Sequence, residues 1–426
     1  MNKDATFSKL ISLLLTIGLF TLIMPSNTLA IEYPNTTKHD VTSQDDIIRD
    51  YWPIDGWRNS TPQEHGMNNE TLYEMIDTIE AQEWPIRSIF IVKDGYVVFE
   101  EYLSDYYPAS RLHLLHSVTK SFTGTLIGIA LQQGLLTGIN ETVFDFFPDY
   151  EIANPDPRKD RMTIEDLLTM TSGFEWDEWS ASYEDAEANT LLRMAGADDC
   201  IQFVLDRPMA YEPGAHWTYN GGGTNLLGAI IPEISGRTTL QFARQHLFVP
   251  LGITSVTWYM MNGGWYNCHG GLKLATQDMA KLGFLYLNNG NWNGTQILSE
   301  EFVANATTPI VLRPYENEPE YGYGWQWWTR SDLGIYFAWG RHGQKIMVSP
   351  EHDMVVAFNA MIPDGEYDPE FSLFKDYILR SIEEGPNYTN PSSFSSPMNE
   401  IVIVILVAPV VLAAIYVAVI RTKSKI

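Results

Sequence analysis

The sequence is poor in cysteine and in positive charge. Only Cys200 and Cys268 occur among its 426 residues, and 27 lysines and arginines stand against 53 aspartates and glutamates, for a formal net charge of −26. Two cysteines permit one disulfide at most, so a disulfide scaffold is excluded and their pairing stays open. Because an acidic surface repels phosphates, nucleic acid is excluded as a partner.

Long apolar runs are absent except near the two ends of the sequence. Lys3 and Lys9 flank an apolar run over residues 10–24 that leads into a short stretch of small and polar residues, a pattern typical of a secretory signal peptide. Residues 401–420 carry no charge over a length that matches the hydrocarbon core of a bilayer, which predicts a transmembrane helix. Basic residues follow at once and favour the cytoplasmic side for the tail. We therefore expect a single-pass protein of the cell membrane whose main domain is extracytoplasmic.

The chain also lacks internal repeats and heptad patterns, so the region between the two apolar runs is predicted to form one globular domain. At roughly 320 residues, that domain is long enough for an enzyme domain with two lobes. The sequence predicts six segments: a signal peptide (1–30), an N-terminal leader (31–66), the globular domain (67–385), a linker (386–400), the transmembrane helix (401–420) and a cytoplasmic tail (421–426).

Apolar spacing predicts strands near both ends of the globular domain and helices between them. Residues 69–82 have helical spacing, and "SIFIVKDGYVVFEEYL" contains two β-rich runs split by a Lys93-Asp94-Gly95 hairpin signal. A second pair of strands is predicted in "GIYFAWG" and "KIMVSPEHDMVVAFNA", followed by an amphipathic helix over residues 369–384. This order predicts an α+β fold, with an antiparallel sheet flanked by helices and a helical lobe.

Ser117 and Lys120 open an apolar helix in "LLHSVTKSFTGTLIGIALQQGLL". Residues three apart on a helix lie on one face with Cβ atoms about 5 to 6 Å apart, so the hydroxyl and the amine can touch. The helix N-terminus favours developing negative charge at the serine, and a buried lysine is a better proton acceptor than an exposed one. The pair is therefore a candidate nucleophile and base.

The same S-x-x-K spacing recurs in Ser372 and Lys375, and it also arises by chance. This second pair lies in the middle of the amphipathic C-terminal helix, where the neighbouring apolar residues form a buried stripe. We interpret it as structural.

Four further stretches follow "SVTKSFTG" in order: "LLTMTSGFEW", "PGAHWTYNGGGTNLLGAII", "HGGLKLATQDMAKLGFLYLNNGNWNG" and "WGRHGQKIMVSP". Together they resemble the serine hydrolases related to class C β-lactamases and D-alanyl-D-alanine carboxypeptidases, most of all the esterase and 6-aminohexanoate-oligomer hydrolase branch. The resemblance covers residues 67–384. It implies a β-lactamase/transpeptidase-like fold and an acyl-enzyme mechanism on an ester or amide of a small molecule or peptide, with no metal or organic cofactor.

The resemblance also implies roles for individual residues. Ser117 matches the family's nucleophile, Lys120 its paired lysine, and Tyr219 the tyrosine of its Y-x-N motif, which relays protons. A tyrosine between two cationic groups would also favour its phenolate form, as a base requires.

The family's Lys-Thr-Gly motif aligns with Arg341-His342-Gly343, which we expect on a strand. In that alignment the backbone N–H of Gln344 joins that of Ser117 in an oxyanion hole.

Two positions depart from the pattern. Gly221 stands where Y-x-N has its asparagine, and Arg341 replaces the lysine of Lys-Thr-Gly. Both changes count against efficient β-lactam hydrolysis and fit the esterase and amidase branch. A D-alanyl-D-alanine carboxypeptidase, a β-lactamase and a binding homologue without turnover are the alternatives, and the oligomeric state is open.

Other motifs carry less weight. Residues 221–223, three glycines, are interpreted as a turn before a helix and not as a phosphate loop. His269 lacks a second ligand pair at metal spacing, and His116 is interpreted as a packing residue. Trp339, beside Arg341, is a candidate wall of the substrate site, although a place in the core fits it as well.

Overall fold

The computed structural model describes residues 49–180, 182–312, 314, 318 and 320–387. The predicted signal peptide, transmembrane helix and tail lie outside these residues, as do most of the linker and the first part of the leader. Within the described residues, no helix combines the length and the hydropathy needed to cross a bilayer.

An eight-stranded antiparallel sheet forms the centre of the domain. Its strands run in the order β2-β1-β13-β12-β11-β10-β9-β8. They are β1 (Ile86–Lys93), β2 (Tyr96–Tyr102), β8 (Val311–Leu312), β9 (Tyr321–Tyr323), β10 (Trp328–Arg330), β11 (Ile335–Gly340), β12 (Gln344–Ser349) and β13 (Met354–Ala360). Two small sheets accompany it, made of β3 (His113–Leu114), β5 (Leu272–Leu274) and β4 (Thr257–Trp258), and of β6 (Asn291–Trp292) and β7 (Thr295–Gln296).

Most of the α-helices lie between β2 and β8 in the chain, as the sequence predicts. They are α1 (Asn69–Ala81), α2 (Val118–Gln132), α3 (Ile164–Leu168), α4 (Thr190–Gly196), α5 (Cys200–Leu205), α6 (Gly221–Ser235), α7 (Thr239–Ala243), α8 (Thr276–Leu287), α9 (Glu300–Thr307), α10 (Glu370–Leu373) and α11 (Arg380–Glu384). Helix α8 packs on β13, β12 and β1. Helix α1 packs against residues 374–384, which follow α10 and include α11.

Both faces of the sheet are covered, because successive side chains of a strand such as β1 enter two different hydrophobic cores. Phe90 and Val92 belong to the core shared with the helical lobe, whereas Ile89 and Ile91 belong to the core under α1 and the C-terminal helices. Successive side chains of a strand point to opposite faces, so a run that is apolar at every position is buried on both sides.

The predicted local elements are confirmed at the N-terminal end of the domain. The side chain of Asn68 accepts a hydrogen bond from the backbone of Thr71 at 2.9 Å and caps α1. Asp94 and Gly95 join β1 to β2 with positive φ angles of 53° and 89°, as a tight hairpin turn requires.

Near the C-terminus, the structure divides two predicted elements. "KIMVSPEHDMVVAFNA" forms two strands and not one, because the chain turns at Pro350–His352 and Asp353 adopts φ 46°. The predicted helix over residues 369–384 is present, but its middle, Phe374–Leu379, widens into a π-helix between α10 and α11.

Residues 49–66 lie against the domain around α8. The indole of Trp57 donates to the carbonyl of Gln277 at 3.0 Å, and its ring packs on Phe284 with centroids 5.4 Å apart. Arg49 forms an ion pair with Asp353 at 2.5 Å. This segment is therefore anchored to the turn between β12 and β13 and to the helix that backs the sheet.

Candidate active site

Ser117 lies directly before α2, at the point where the chain leaves β3. The preceding residue, His116, has a positive φ of 48°, which is uncommon for a residue with a side chain. Lys120, one turn later, is 2% exposed, and its Nζ atom lies 3.1 Å from the Oγ atom of Ser117. The structure therefore brings the hydroxyl and the amine into contact, as the helical spacing predicts.

The Lys120 side chain is held by a second contact. Its Nζ atom donates to the carbonyl oxygen of His269 at 2.9 Å. Burial lowers the pKa of Lys120 to about 8, although the nearby carboxyl of Glu178 acts in the opposite direction. A lysine with a pKa of about 8 is partly neutral near physiological pH and can accept a proton.

Tyr219 lies just before α6 and faces the same two residues. The Lys120 ammonium sits 4.8 Å from the centre of the Tyr219 ring, and the Ser117 hydroxyl is near enough to the phenol to influence its pKa. Burial, with smaller contributions from Tyr323 and the carboxyl of Glu178, raises the pKa of Tyr219 well above its ordinary value, and the Ser117 hydroxyl acts in the opposite direction. The expectation that cationic neighbours favour the phenolate is therefore wrong for the resting site: Tyr219 is a neutral phenol there.

Arg341, His342 and Gly343 are not on a strand, contrary to the prediction. They form the turn between β11 and β12, with φ angles of 67° at His342 and 85° at Gly343. Only Gln344 belongs to a strand, as the first residue of β12. Positive φ angles are typical of tight hairpin turns, but a histidine rarely adopts one, so the residue types alone do not predict this turn.

The turn residues are fixed by their neighbours. The Arg341 guanidinium pairs with Asp364, with Nε 2.6 Å from Oδ1, and lies 4.3 Å from the centre of the Tyr183 ring. The Nδ1 atom of His342 contacts the carbonyl of Ile362 at 2.8 Å. The positive charge at position 341 is thus already partly neutralised by Asp364.

His116 touches this turn as well. Its ring lies edge-on to the ring of His342, with centroids 5.1 Å apart. Burial and the neighbouring cationic groups lower the pKa of His116 to about 4, so the imidazole is neutral and suits the predicted packing role.

Gln344 lies beside the start of α2. In the hairpin register Gln344 is opposite Gly340, and a Cβ atom added to Gly340 would lie 3.1 Å from the Gln344 Cβ and 3.2 Å from the Val118 nitrogen. The glycine therefore lets β11 pass directly over the beginning of the helix. The side chain of Gln344 turns away and donates to the carbonyl of Ala360 at 2.8 Å.

A cleft of about 290 Å³ opens in front of Ser117. Trp339 lines the cleft and also packs against the core under α1 and the C-terminal helices, so it combines its two predicted places. Trp179 is 42% exposed at the rim of the cleft. The cleft is lined by Ser117, Trp179, Tyr183, Tyr219, Trp328, Trp339, Gly340, Arg341, His342, Gly343, Ile362, Pro363, Asp364, Gly365, Glu366 and Asp368. Aromatic rings on one side and a polar turn on the other suit an uncharged acyl group of moderate size.

Sequence reasoning missed Glu178, which lies in an irregular segment between α3 and α4. Its carboxyl is 2% exposed and accepts from the backbone of Gly221 and from the indole of Trp176, both at 2.7 Å. An aromatic-rich loop was the only sequence signal there. The predicted turn at residues 221–223 is wrong, because the three glycines form the first turn of α6. A Cβ at Gly222 would meet the Trp176 ring at 2.6 Å, so the indole packs directly on the helix backbone there.

The second Ser-Lys pair takes no part in the site. Ser372 contacts the hydroxyl of Tyr367, and Lys375 is exposed on the C-terminal helical segment, as the structural interpretation predicts. Cys200 and Cys268 are both buried free thiols.

Comparisons with known proteins place this geometry in a family. The chain is 24% identical over 323 residues to a 6-aminohexanoate-dimer hydrolase from Paenarthrobacter ureafaciens, with 72% of this chain and 80% of the relative covered. The structure of the octameric penicillin-binding protein homologue from Pyrococcus abyssi matches 73% of this chain and 77% of its own at a TM-score of 0.58 and 21% identity.

A further solved structure, EstCE1, a hydrolase with promiscuous acyltransferase activity, gives a TM-score of 0.61 at 15% identity and covers 72% of this chain and 98% of its own. These two structures support the β-lactamase/transpeptidase-like fold. The model of the family described as beta-lactamase matches residues 78–371, which is more than half of the chain, and the protein therefore belongs to the beta-lactamase family.

Proposed function

We propose that the protein is a serine hydrolase that cleaves an ester or a linear amide through an acyl-enzyme on Ser117. The observation that carries this proposal is the 3.1 Å contact between the Lys120 Nζ and the Ser117 Oγ at the floor of an open cleft. A serine becomes an effective nucleophile when a base lies within hydrogen-bond reach, and Lys120 has the lowered pKa that a base requires.

The acylation step follows from these contacts. Neutral Lys120 takes the Ser117 proton while Oγ bonds to the carbonyl carbon of the substrate, which gives a tetrahedral oxyanion. Collapse of this intermediate breaks the bond to the leaving amine or alcohol. Tyr219 gives its phenolic proton to the leaving group and recovers a proton from the Lys120 ammonium beneath its ring.

Deacylation uses the same groups in reverse. A water molecule adds to the acyl carbon and gives a proton to the Tyr219 phenol as the phenol passes its own proton to neutral Lys120. The bond between the acyl carbon and Ser117 Oγ then breaks, and Oγ takes a proton from the Lys120 ammonium. The backbone N–H groups of Ser117 and Gln344 are the proposed donors to the oxyanion in both steps. The close approach of β11 to the start of α2 supports this pairing.

Two features favour esters and linear amides over β-lactams. Gly221 offers no amide side chain to hold an acylamide group, and the space beside it is taken by the Glu178 carboxyl. The Arg341 guanidinium is engaged by Asp364, so it is less able to bind the carboxylate of a penicillin. The relative is named as a 6-aminohexanoate-dimer hydrolase, and a dimer that joins an amine to a carboxyl group is an amide, which agrees with this preference.

The proposal is tested on the full-length protein with a fluorophosphonate probe and a p-nitrophenyl ester. The wild-type protein should be labelled covalently and should hydrolyse the ester, whereas Ser117→Ala should do neither. Ser372→Ala, at the second S-x-x-K sequence, is the matched control and should behave as the wild type. Undiminished labelling of Ser117→Ala would overturn the assignment.

The alternative functions give different results in the same experiment. A D-alanyl-D-alanine carboxypeptidase would release D-alanine from a D-alanyl-D-alanine peptide, and a β-lactamase would open a chromogenic cephalosporin with turnover. A binding homologue without turnover would show neither hydrolysis nor labelling. The contact between Ser117 and Lys120 favours an active enzyme over the last of these.

We also propose that the hydrolase domain is tethered outside the cytoplasm by residues 401–420. The support is the uncharged apolar run followed by basic residues. Membrane fractionation tests it: full-length protein should sediment with membranes and resist carbonate extraction, whereas protein truncated after residue 400 should not. Equal behaviour of the two proteins would contradict the tether.

A further inference from the structure

Glu178 is a buried carboxyl group next to the proposed catalytic residues. It is 2% exposed, and its Oε2 atom accepts two N–H donors, from Gly221 and Trp176, each at 2.7 Å. The other oxygen, Oε1, is buried and has no hydrogen-bond partner within the described residues. A buried carboxyl group with an unsatisfied oxygen costs free energy, so packing alone does not explain its presence.

The backbone around Gly221 is shaped to receive this carboxyl. A Cβ atom added to Gly221 would lie 2.7 Å from the Leu191 Cδ1, 3.1 Å from the Glu178 Oε2 and 3.3 Å from the His269 Cβ. A larger residue there would displace either the carboxyl or its neighbours. Gly221 is two residues from Tyr219, and His269 supplies the carbonyl that holds Lys120, so the carboxyl lies between the supports of both groups.

The charged and titratable groups facing Lys120 come from several elements. They are Glu178 in the loop after α3, Tyr219 before α6, His116 before α2 and His269 before β5. Burial lowers the pKa of both histidines, to about 4 at His116 and well below its ordinary value at His269, so both are neutral. Burial raises the pKa of the Glu178 carboxyl, whereas the Lys120 charge and the N–H donors of Gly221 and Trp176 lower it. Glu178 is therefore the nearby group that can carry the balancing negative charge, and it does so most readily while Lys120 is protonated.

We infer that Glu178 is a positioning residue of the proposed reaction, whose carboxylate holds the start of α6 at Gly221 and supplies the negative charge that balances Lys120. The inference rests on the proposed function. It also accounts for the glycine at position 221, since the carboxyl occupies the side-chain space that the asparagine of a Y-x-N motif would need.

Removal of the Glu178 charge should shift the pKa of Lys120 in a defined direction. The attraction of Glu178 raises the pKa of Lys120 and so opposes the effect of burial. Without that charge, Lys120 loses its proton at a lower pH and becomes a weaker base. The acidic limb of the pH profile for ester hydrolysis should therefore move to lower pH, and the rate at the plateau should fall.

The test compares three variants of the full-length protein with the wild type by kcat/KM for a p-nitrophenyl ester between pH 5 and 10. Glu178→Gln keeps the shape and an acceptor oxygen but removes the charge, and its acidic limb should shift to lower pH. Glu178→Asp keeps the charge, and its limb should stay near that of the wild type even if its rate falls. Glu175→Gln, at an exposed carboxyl in the same loop, is the matched control and should leave the profile unchanged.

The outcomes separate the inference from the proposed function. A Glu178→Gln profile that is scaled down equally at every pH would show a purely structural role and overturn the inference, as would a profile identical to that of the wild type. Melting temperatures measured in parallel show whether each variant folds. If Glu178→Gln does not fold, Glu178→Asp decides. An acidic limb of the Glu178→Asp profile that moves to lower pH although the charge is retained would overturn the inference. An inactive wild-type protein would instead reject the proposed function itself.

Discussion

The ring of Trp179 stacks on the ring of Tyr219, with centroids 4.6 Å apart and planes inclined by 22°. Tyr219 is buried and Trp179 stands at the rim of the cleft, so the indole shields the phenol from solvent on one face while Lys120 lies 4.8 Å from the ring centre. The orientation of the phenol is therefore fixed by aromatic contacts, and its hydroxyl is free to act on Ser117.

This arrangement predicts that Tyr219→Phe loses activity but keeps the fold. The phenylalanine preserves the stack on Trp179 and removes only the hydroxyl, the proposed proton donor to the leaving group. Ester hydrolysis should fall by roughly 10²- to 10⁴-fold, the usual contribution of a general acid or base. Steady-state kinetics and a thermal melt measure both effects. Tyr211→Phe, at an exposed tyrosine, is the control, and a Tyr219→Phe variant with full activity would remove the phenol from the mechanism.

Hydrolysis should depend on pH through Lys120. Its pKa is lowered to about 8, so the neutral amine predominates only above that value, and kcat/KM should rise with pH and level off above about 8. Lys120→Arg should be inactive at every pH in this range because a guanidinium does not release its proton. Lys375→Arg, at the second S-x-x-K sequence, is the matched control. A Lys120→Arg enzyme with the wild-type profile would show that another group is the base.

The ion pair between Arg341 and Asp364 should set the charge preference of the cleft. Asp364→Asn frees the guanidinium, so acylation by a penicillin, which carries a carboxylate, should increase about two- to fivefold relative to a neutral ester. The gain should shrink at high salt, since both side chains are partly exposed. Asp332→Asn, which breaks the exposed pair with Arg330, should have no effect. An unchanged ratio of the two substrates would show that Arg341 does not contact the acyl donor.

Gly343 should tolerate no side chain. Its φ is 85°, and a Cβ there would lie 2.1 Å from the Oε1 of Glu370, a carboxyl that pairs with buried Lys345 at 3.1 Å. Gly343→Ala should lower the free energy of unfolding by about 3 kcal/mol or more.

Gly365 provides the matched control for that prediction. Its φ is 79°, but nothing lies within 4 Å of an added Cβ, so Gly365→Ala should cost only about 1 to 2 kcal/mol of backbone strain. Urea denaturation measures both variants. Equal losses would mean that the Gly343 turn relaxes and that the contact with Glu370 has no energetic weight.

The sequence predicted those parts of the site that depend on local geometry. Ser117 and Lys120 are three residues apart on one helix, so their contact follows from the helical repeat alone. The Asp94-Gly95 turn and the Asn68 cap are likewise decided within a few residues. Tyr219 was found only by its resemblance to a family motif, because nothing in its neighbours in the chain places it beside Ser117.

Groups that act across the fold escaped prediction. Glu178 lies in a loop without periodicity, and its importance comes from burial beside Lys120 and from a backbone N–H at Gly221. The His269 contribution is a backbone carbonyl, which leaves no mark in the side-chain sequence. Residues 341–343 form a hairpin turn and not the predicted strand, because His342 adopts a positive φ. The residue type does not indicate this conformation, since histidine rarely adopts it.

The amino-acid sequence by itself determined which residues pair along a helix or a hairpin, because those contacts are set by the repeat of the backbone. Only the tertiary structure decided the protonation of the site. The buried environment that lowers the pKa of Lys120 and keeps Tyr219 a neutral phenol is built from segments far apart in the chain, and desolvation depends on how tightly those segments close around a charge.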